Sequence, residues 1–255
     1  MPLLPGAEPF ARDGGPIGAV VLHGFTGTPQ GVRDWGLALA DSGLTVTVPR
    51  LPGHGTRWQD MARTRWTDWY GEAERAFDEL RSCCAEVFVC GLSMGGTLAL
   101  RLAEQRATEV AGAIVVNASL ATERKDAMLL PLLRHLIPAF PGIANDIAKP
   151  GVTELAYGKM PLQAAYSLSQ LWAITRADLG EILCPVLSFR SETDHIVEAI
   201  SGTILREGAA ATTVTERLLT KSFHVATLDY EAPEIFAESI EFVRAHSGAP
   251  RTSPR

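Results

Sequence analysis

Runs of β-branched and aliphatic residues recur along this chain, and stretches with helical spacing fall between most of them. The runs read IGAVVLH (17–23), LTVTVP (44–49), EVFVCGL (86–92), AGAIVVNAS (111–119), PVLSFR (185–190) and TTVTERLL (212–219). Strands this apolar need cover on both faces. The helical stretches at 29–42, 66–84, 94–106, about 198–208 and 233–246 supply it. Pro29 suits a first helical turn and Gly43 a stop. In 66–84 the residues Trp66, Trp69, Tyr70, Ala73, Phe77 and Leu80 fall near one face. The pattern predicts an α/β fold, a mostly parallel sheet flanked by helices.

The segment 121–180 breaks the alternation. It offers no convincing strand and carries Pro131, Pro138, Pro141, Pro150 and Pro161. Between 127 and 147 it is largely apolar, with Met128, Leu129, Leu130, Leu132, Leu133, Leu136, Ile137, Phe140 and Ile143. We read it as a small helical cap inserted over the sheet, either a lid or merely a layer with its own core, and both can hold at once. The core of the fold is then 1–120 with 181–255. A length of 255 residues fits one such core with an insertion, since domains average about 150 residues.

Charge narrows the function classes. Lys and Arg number 23 against 29 Asp and Glu, a net charge of −6. No basic cluster marks a nucleic-acid surface. No apolar run reaches the roughly 18 residues of a membrane helix, and the N-terminus lacks the charge-then-apolar order of a signal peptide. Cys83, Cys84, Cys90 and Cys184 show no C-x-x-C spacing. They read as buried or partly buried thiols in a reducing cytoplasm, with no metal site and no cofactor. The tail SGAPRTSPR is expected to fray.

The sharpest chemical signal is Gly91-Leu92-Ser93-Met94-Gly95, a G-x-S-x-G between a strand and a helix. A turn this tight lifts the Ser93 hydroxyl above the sheet, and the glycines relieve its crowding. A serine hydroxyl attacks only when a base takes its proton. After such an elbow the chain order is acid, then histidine. His224, in the loop after the last strand, is the expected base; His246 reads as solvated and His135 lies in the insertion. The acid belongs in Ser191-Glu192-Thr193-Asp194-His195, where Asp194 is favoured and Glu192, Asp229 and Asp178 are the alternatives. His195 then shapes the acid loop. Two backbone N–H groups must face the developing oxyanion. Met94 supplies one and Phe25, in His23-Gly24-Phe25-Thr26-Gly27, the other. His23 and His54, the latter in Pro52-Gly53-His54-Gly55, read as loop-stabilising residues.

The motifs LHGFTGTP (22–29), LPGHGT (51–56), GLSMGG (91–96), SETDHIV (191–197) and SFHVATLDYE (222–231) occur in the right order across the whole core. On them the chain resembles an α/β-hydrolase, specifically the small bacterial carboxylesterase and monoacylglycerol lipase family. TELAYGKMP (153–161) resembles that family more weakly. The resemblance implies a Ser93–Asp194–His224 triad, oxyanion donors at Phe25 and Met94, reduced first strands and a small cap. It also implies ester substrates with short to medium acyl chains, including monoacylglycerols, cleaved through an acyl-enzyme. A thioesterase or acyltransferase with the same triad, or a slow-turnover ligand-binding homologue, is the alternative. The expected partner is a small-molecule ester, with transient lipid-surface contact through the cap. Glu154 reads either as a solvated charge or as a polar contact for the glycerol of such a substrate.

Overall fold

The computed structural model describes residues 2–142 and 145–248, apart from the side chain of Asp126. Its main sheet is built from β1 (Phe10–Arg12), β2 (Ile17–Leu22), β3 (Thr45–Val48), β4 (Glu86–Leu92) and β5 (Val110–Val116), with β8 (Val186–Ser191) and β9 (Val214–Leu219). They lie in the order β1-β3-β2-β4-β5-β8-β9. Only the short β1 runs antiparallel, against β3; every other pairing in this sheet is parallel. The mostly parallel sheet expected from the alternation is present.

Side chains alternate across each strand, and the alternation divides the core in two. From β2 and β4, Val20, Leu22, Val87 and Val89 face one way, toward α3 (Trp66–Cys83), α4 (Met94–Gln105) and α6 (Leu162–Asp178). Ala19, Val21, Phe88, Cys90 and Leu92 face the other, toward α1 (Gln30–Asp41) and α8 (Ala232–His246). In α3 the buried stripe is Trp69, Ala73, Ala76, Phe77 and Leu80. Each large apolar side chain of that kind contributes about 1.5–3 kcal/mol on burial. On the opposite face Trp35 Nε1 of α1 donates to Ser239 Oγ of α8 at 3.1 Å, joining two helices distant in sequence. α1 stops where Gly43 takes φ +102°, a conformation that favours glycine. β5 stops earlier than the apolar run suggested, because Asn117 turns the chain at φ 47°.

The insertion between β5 and β8 departs from expectation. After α2 (Trp58–Met61) in the core, the next short helix is α5 (Leu130–Leu133), preceded by a 3₁₀ turn at Lys125–Leu129. The chain then forms β6 (Ala139–Pro141) and β7 (Lys159–Pro161), an antiparallel ribbon pairing Phe140 with Met160. These two strands contradict the strandless reading of 121–180. Prolines at 138, 141 and 161 block helix, and the pairing spans too much chain to leave a local period. α6 alone is a long helix there, and it buries Ala164, Leu168 and Leu171. Met128, Leu129, Leu132 and Leu136 are exposed, so this stretch does not make a core of its own. Ile143 and the tail from 249 onward lie outside the described residues. α7 (Ile200–Gly208) joins β8 to β9. Cys83 is exposed at the end of α3, unlike the buried Cys84, Cys90 and Cys184. No described helix is long and apolar enough to cross a membrane.

Candidate active site

Ser93 stands between β4 and α4 with φ 54° and ψ −118°. The turn is held from behind: Ser93 N–H donates to Val116 O at 2.9 Å, and Ser93 O accepts from Thr97 N–H at 3.1 Å. Its flanking glycines are obligatory. A Cβ on Gly91 would lie 2.1 Å from Gly95 O, and one on Gly95 would lie 2.1 Å from Leu22 O. A Cβ on Gly24 would sit 3.5 Å from that of Ser93, so the loop after β2 runs directly beside the serine.

His224 Nδ1 lies 2.8 Å from Asp194 Oδ2. An ionised carboxylate only accepts, so Nδ1 carries the proton and Nε2 keeps its lone pair. Both side chains are 6% exposed. Asp194 Oδ1 accepts from the N–H groups of Ile196 and Val197, each at 2.8 Å, which fixes the carboxylate. Burial works hardest on His224, to lower its pKa. The Asp194 hydrogen bond and charge, with the charges of Glu154 and Asp146, outweigh it, and the pKa is raised. On Asp194 burial pushes upward, but the imidazole and the two N–H groups prevail and hold it low. Glu192 is exposed. Asp178 pairs with Arg101 at 2.5 Å, and Asp229 accepts from the N–H groups of Ala148, Lys149, Phe223 and Tyr230. Of the four acids weighed, only Asp194 meets the imidazole.

Met94 opens α4, so its N–H has no intrahelical acceptor. Phe25 N–H has no backbone acceptor among the described residues. Phe25 lies in a turn with Thr26 at φ 64°, and its ring meets Trp69 edge-on at 5.7 Å. His23 holds this loop. Its Nε2 accepts from Leu51 N–H at 3.1 Å, so Nδ1 is the donor to Gly24 O at 3.0 Å. His54 Nδ1 bonds Pro52 O at 3.1 Å. Burial keeps both rings neutral, His23 well below its ordinary pKa and His54 down to about 4. These are the loop-stabilising roles read from the sequence. His246, expected in solvent, instead bonds Phe242 O at 2.8 Å within α8.

Glu154 reaches the same place from the insertion. Gln30 brackets it, donating to Thr153 O and accepting from Leu155 N–H. Its Oε1 would lie 2.7 Å from a Cβ on Gly27 and 3.6 Å from one on Gly31. Burial raises its pKa, against the charge of His224 and the Asn145 backbone. Glu154 is half-buried, with its carboxylate against the glycines of the loop after β2 and the start of α1.

The alpha/beta hydrolase family matches residues 19–238. The chain is 42% identical over 250 residues to a thermostable monoacylglycerol lipase of a Bacillus species, covering 97% of this chain and 98% of the lipase. This chain belongs to the alpha/beta hydrolase family. It is also 26% identical over 239 residues to a carboxylesterase of Bacillus subtilis, covering 92% of this chain and 96% of the other. A solved structure reported for the metagenome-derived lipolytic enzymes LipS and LipT superimposes with a TM-score of 0.93 at 37% identity, covering 96% of this chain and 100% of the other.

Sequence reasoning missed two residues of this alpha/beta hydrolase site, Asn117 and Asp146. Asn117 Nδ2 donates to His224 O at 2.8 Å and to Ser191 Oγ at 2.9 Å, and its Oδ1 accepts from Ser191 N–H at 2.7 Å. Its neighbour Val116 holds Ser93, so the serine and histidine loops hang on consecutive residues at the end of β5. A polar residue closing the run AGAIVVN was the available signal. Asp146 left none, because its partners lie in distant loops.

Proposed function

We propose that this alpha/beta hydrolase is a serine ester hydrolase. Ser93 is the nucleophile, His224 the general base, and Asp194 the carboxylate that fixes the imidazole tautomer. The observation that carries the reading is the 2.8 Å bond from His224 to an Asp194 held by two backbone N–H groups, with Ser93 at positive φ directly after β4. Ser93 Oγ adds to the ester carbonyl as His224 Nε2 takes its proton. The N–H groups of Phe25 and Met94 stabilise the oxyanion. His224 returns the proton to the departing alcohol, leaving an acyl-enzyme. A water, deprotonated by His224, then releases the acid.

The segment 121–180 is read as the cap, and the substrates as esters with short to medium acyl chains, monoacylglycerols among them. Glu154 supports this choice: a carboxylate in the site wall accepts hydrogen bonds from hydroxyls, and such charge-assisted bonds are strong ones. The exposed Met128, Leu129, Leu132 and Leu136 support transient contact with a lipid surface. No disulfide joins the described cysteines, in keeping with a cytoplasmic enzyme.

The test compares monoacylglycerols, p-nitrophenyl esters and acyl-CoA on one preparation. Ser93→Ala is expected to lose roughly 10⁶ in kcat while staying folded. If the variant keeps more than about a tenth of the wild-type kcat, the triad is wrong. Glu154→Ala is expected to raise KM for monoacylglycerols about tenfold, or roughly 1.4 kcal/mol, and to leave p-nitrophenyl esters unchanged. Equal losses on both substrates would make Glu154 a support for the cap instead.

A further inference from the structure

Asp146 belongs to the insertion, between β6 and β7, yet its side-chain partners among the described residues lie in the two loops that carry Asp194 and His224. Its Oδ1 accepts from His195 Nδ1 at 2.7 Å, and its Oδ2 accepts from His195 N–H at 3.1 Å. The same Oδ2 accepts from His224 N–H at 3.2 Å. Its backbone carbonyl accepts from Val225 N–H at 3.0 Å. The carboxylate is 11% exposed, and the His195 ring packs edge-on against Phe223 at 4.8 Å. The contacts close a ring: Asp194 is bonded to the imidazole of His224, His195 follows Asp194 in the chain, and Asp146 joins His195 to the backbone of His224.

We propose that Asp146 is a positioning residue for the reaction. It fixes the backbone of the acid loop relative to that of the base loop, and so keeps His224 aimed at Ser93 only while the insertion is seated. The inference rests on the triad reading above. The carboxylate touches no reacting atom; it acts through His195 and His224. Two N–H groups converge on Oδ2; without an acceptor there the part-buried His224 N–H loses its partner and the exposed His195 N–H turns to water, so the tie between the two loops is lost. A misplacement on the order of 1 Å costs about a hundredfold in rate. Asp229 holds the same stretch independently, through the N–H groups of Ala148, Lys149 and Phe223. Removing the Asp146 carboxylate therefore loosens the aim of the histidine without releasing the whole segment.

The experiment measures kcat and KM on p-nitrophenyl butyrate, thermal midpoint, and the rate of labelling by a serine-directed phosphonate, for Asp146→Ala, Asp146→Asn and Ser93→Ala. Asp146→Ala is expected to lower kcat and the labelling rate by about ten- to a hundredfold, with KM within about twofold and the protein folded. Asp146→Asn keeps one oxygen for both backbone N–H groups, and its amide can donate to the other His195 tautomer. It is expected to restore kcat to within about threefold of wild type. If Asp146→Ala does not fold, Asp146→Glu decides on the same readings, because it keeps the charge and displaces the oxygens; a lowered kcat at unchanged KM is again expected. Wild-type kcat in Asp146→Ala, a loss confined to KM, or an Asp146→Asn as impaired as Asp146→Ala would each overturn the inference. If Ser93→Ala is inert while Asp146→Ala is unimpaired, only this inference is lost. If Ser93→Ala itself turns over, the triad reading fails and takes this inference with it.

Discussion

A serine at φ 54° and ψ −118° sits where only glycine is at ease, and that strain costs on the order of 1–3 kcal/mol. The turn is kept because the surrounding sheet and helix over-determine it. Ser93→Gly and Ser93→Ala should both be inactive, but the glycine variant is expected to be the more stable by about 1 kcal/mol in urea unfolding, after its extra chain entropy is set against the relieved strain. Equal stabilities would show an unstrained turn. His224 gives a second prediction at this scale. Its neutral form is the active base, and its pKa is raised, so kcat/KM should fall with acidification through a midpoint above the ordinary histidine value of about 6.5. Asp194→Asn removes the main group holding that pKa up against burial. The residual activity, reduced by up to about 10⁴ in kcat, should show its acid limb at lower pH. An unmoved midpoint would detach the limb from His224. Serine, acid and base were each legible as candidates in the sequence, with Asp194 favoured over Glu192, and the bond to the imidazole singles out Asp194.

The passage from β4 into α4 is an element-scale device, because the helix can lie this close to the sheet only if its first turn is bare. The Cβ position on Gly95 falls 2.1 Å from the β2 carbonyl of Leu22. Backbone cannot yield there as a flexible side-chain tip would. Gly95→Ala is therefore expected to cost about 3 kcal/mol or more, measured as a fall in denaturant midpoint. Gly71 provides the contrast. It lies exposed within α3, with nothing within 4 Å of its Cβ position. Gly71→Ala should stabilise the protein by about 1 kcal/mol through helix propensity alone. A similar response at the two glycines would refute the steric account. Most core elements were legible from their periodicity at this scale. The β6–β7 ribbon was not, because two three-residue strands 139–141 and 159–161 acquire their shape from each other and from prolines.

The whole molecule presents one apolar surface its sequence could not assign to inside or outside. Met128 is 81% exposed and Leu136 71% exposed, on a protein of net charge −6. Replacing Leu132 and Leu136 together by Ser should weaken binding to neutral phospholipid vesicles and lower turnover of aggregated monoacylglycerols. It should leave soluble p-nitrophenyl butyrate hydrolysis and the thermal midpoint nearly unchanged, since exposed substitutions usually move stability by less than about 0.5 kcal/mol. Unaltered vesicle binding would remove the lipid surface as a partner of this face. What the sequence by itself determined is the set of parts: the parallel strands, their covering helices, the serine elbow and the loops that carry an acid and a base. Each is written in a local period or in the backbone sterics of a few neighbouring residues. The tertiary structure decided which parts meet. Asp194 joins His224 across 30 residues of chain, Asn117 reaches His224 across 107, and Asp146 reaches it across 78. Contacts of that kind leave no local pattern, because they arise only when the packed sheet and the insertion bring separate loops to the same point.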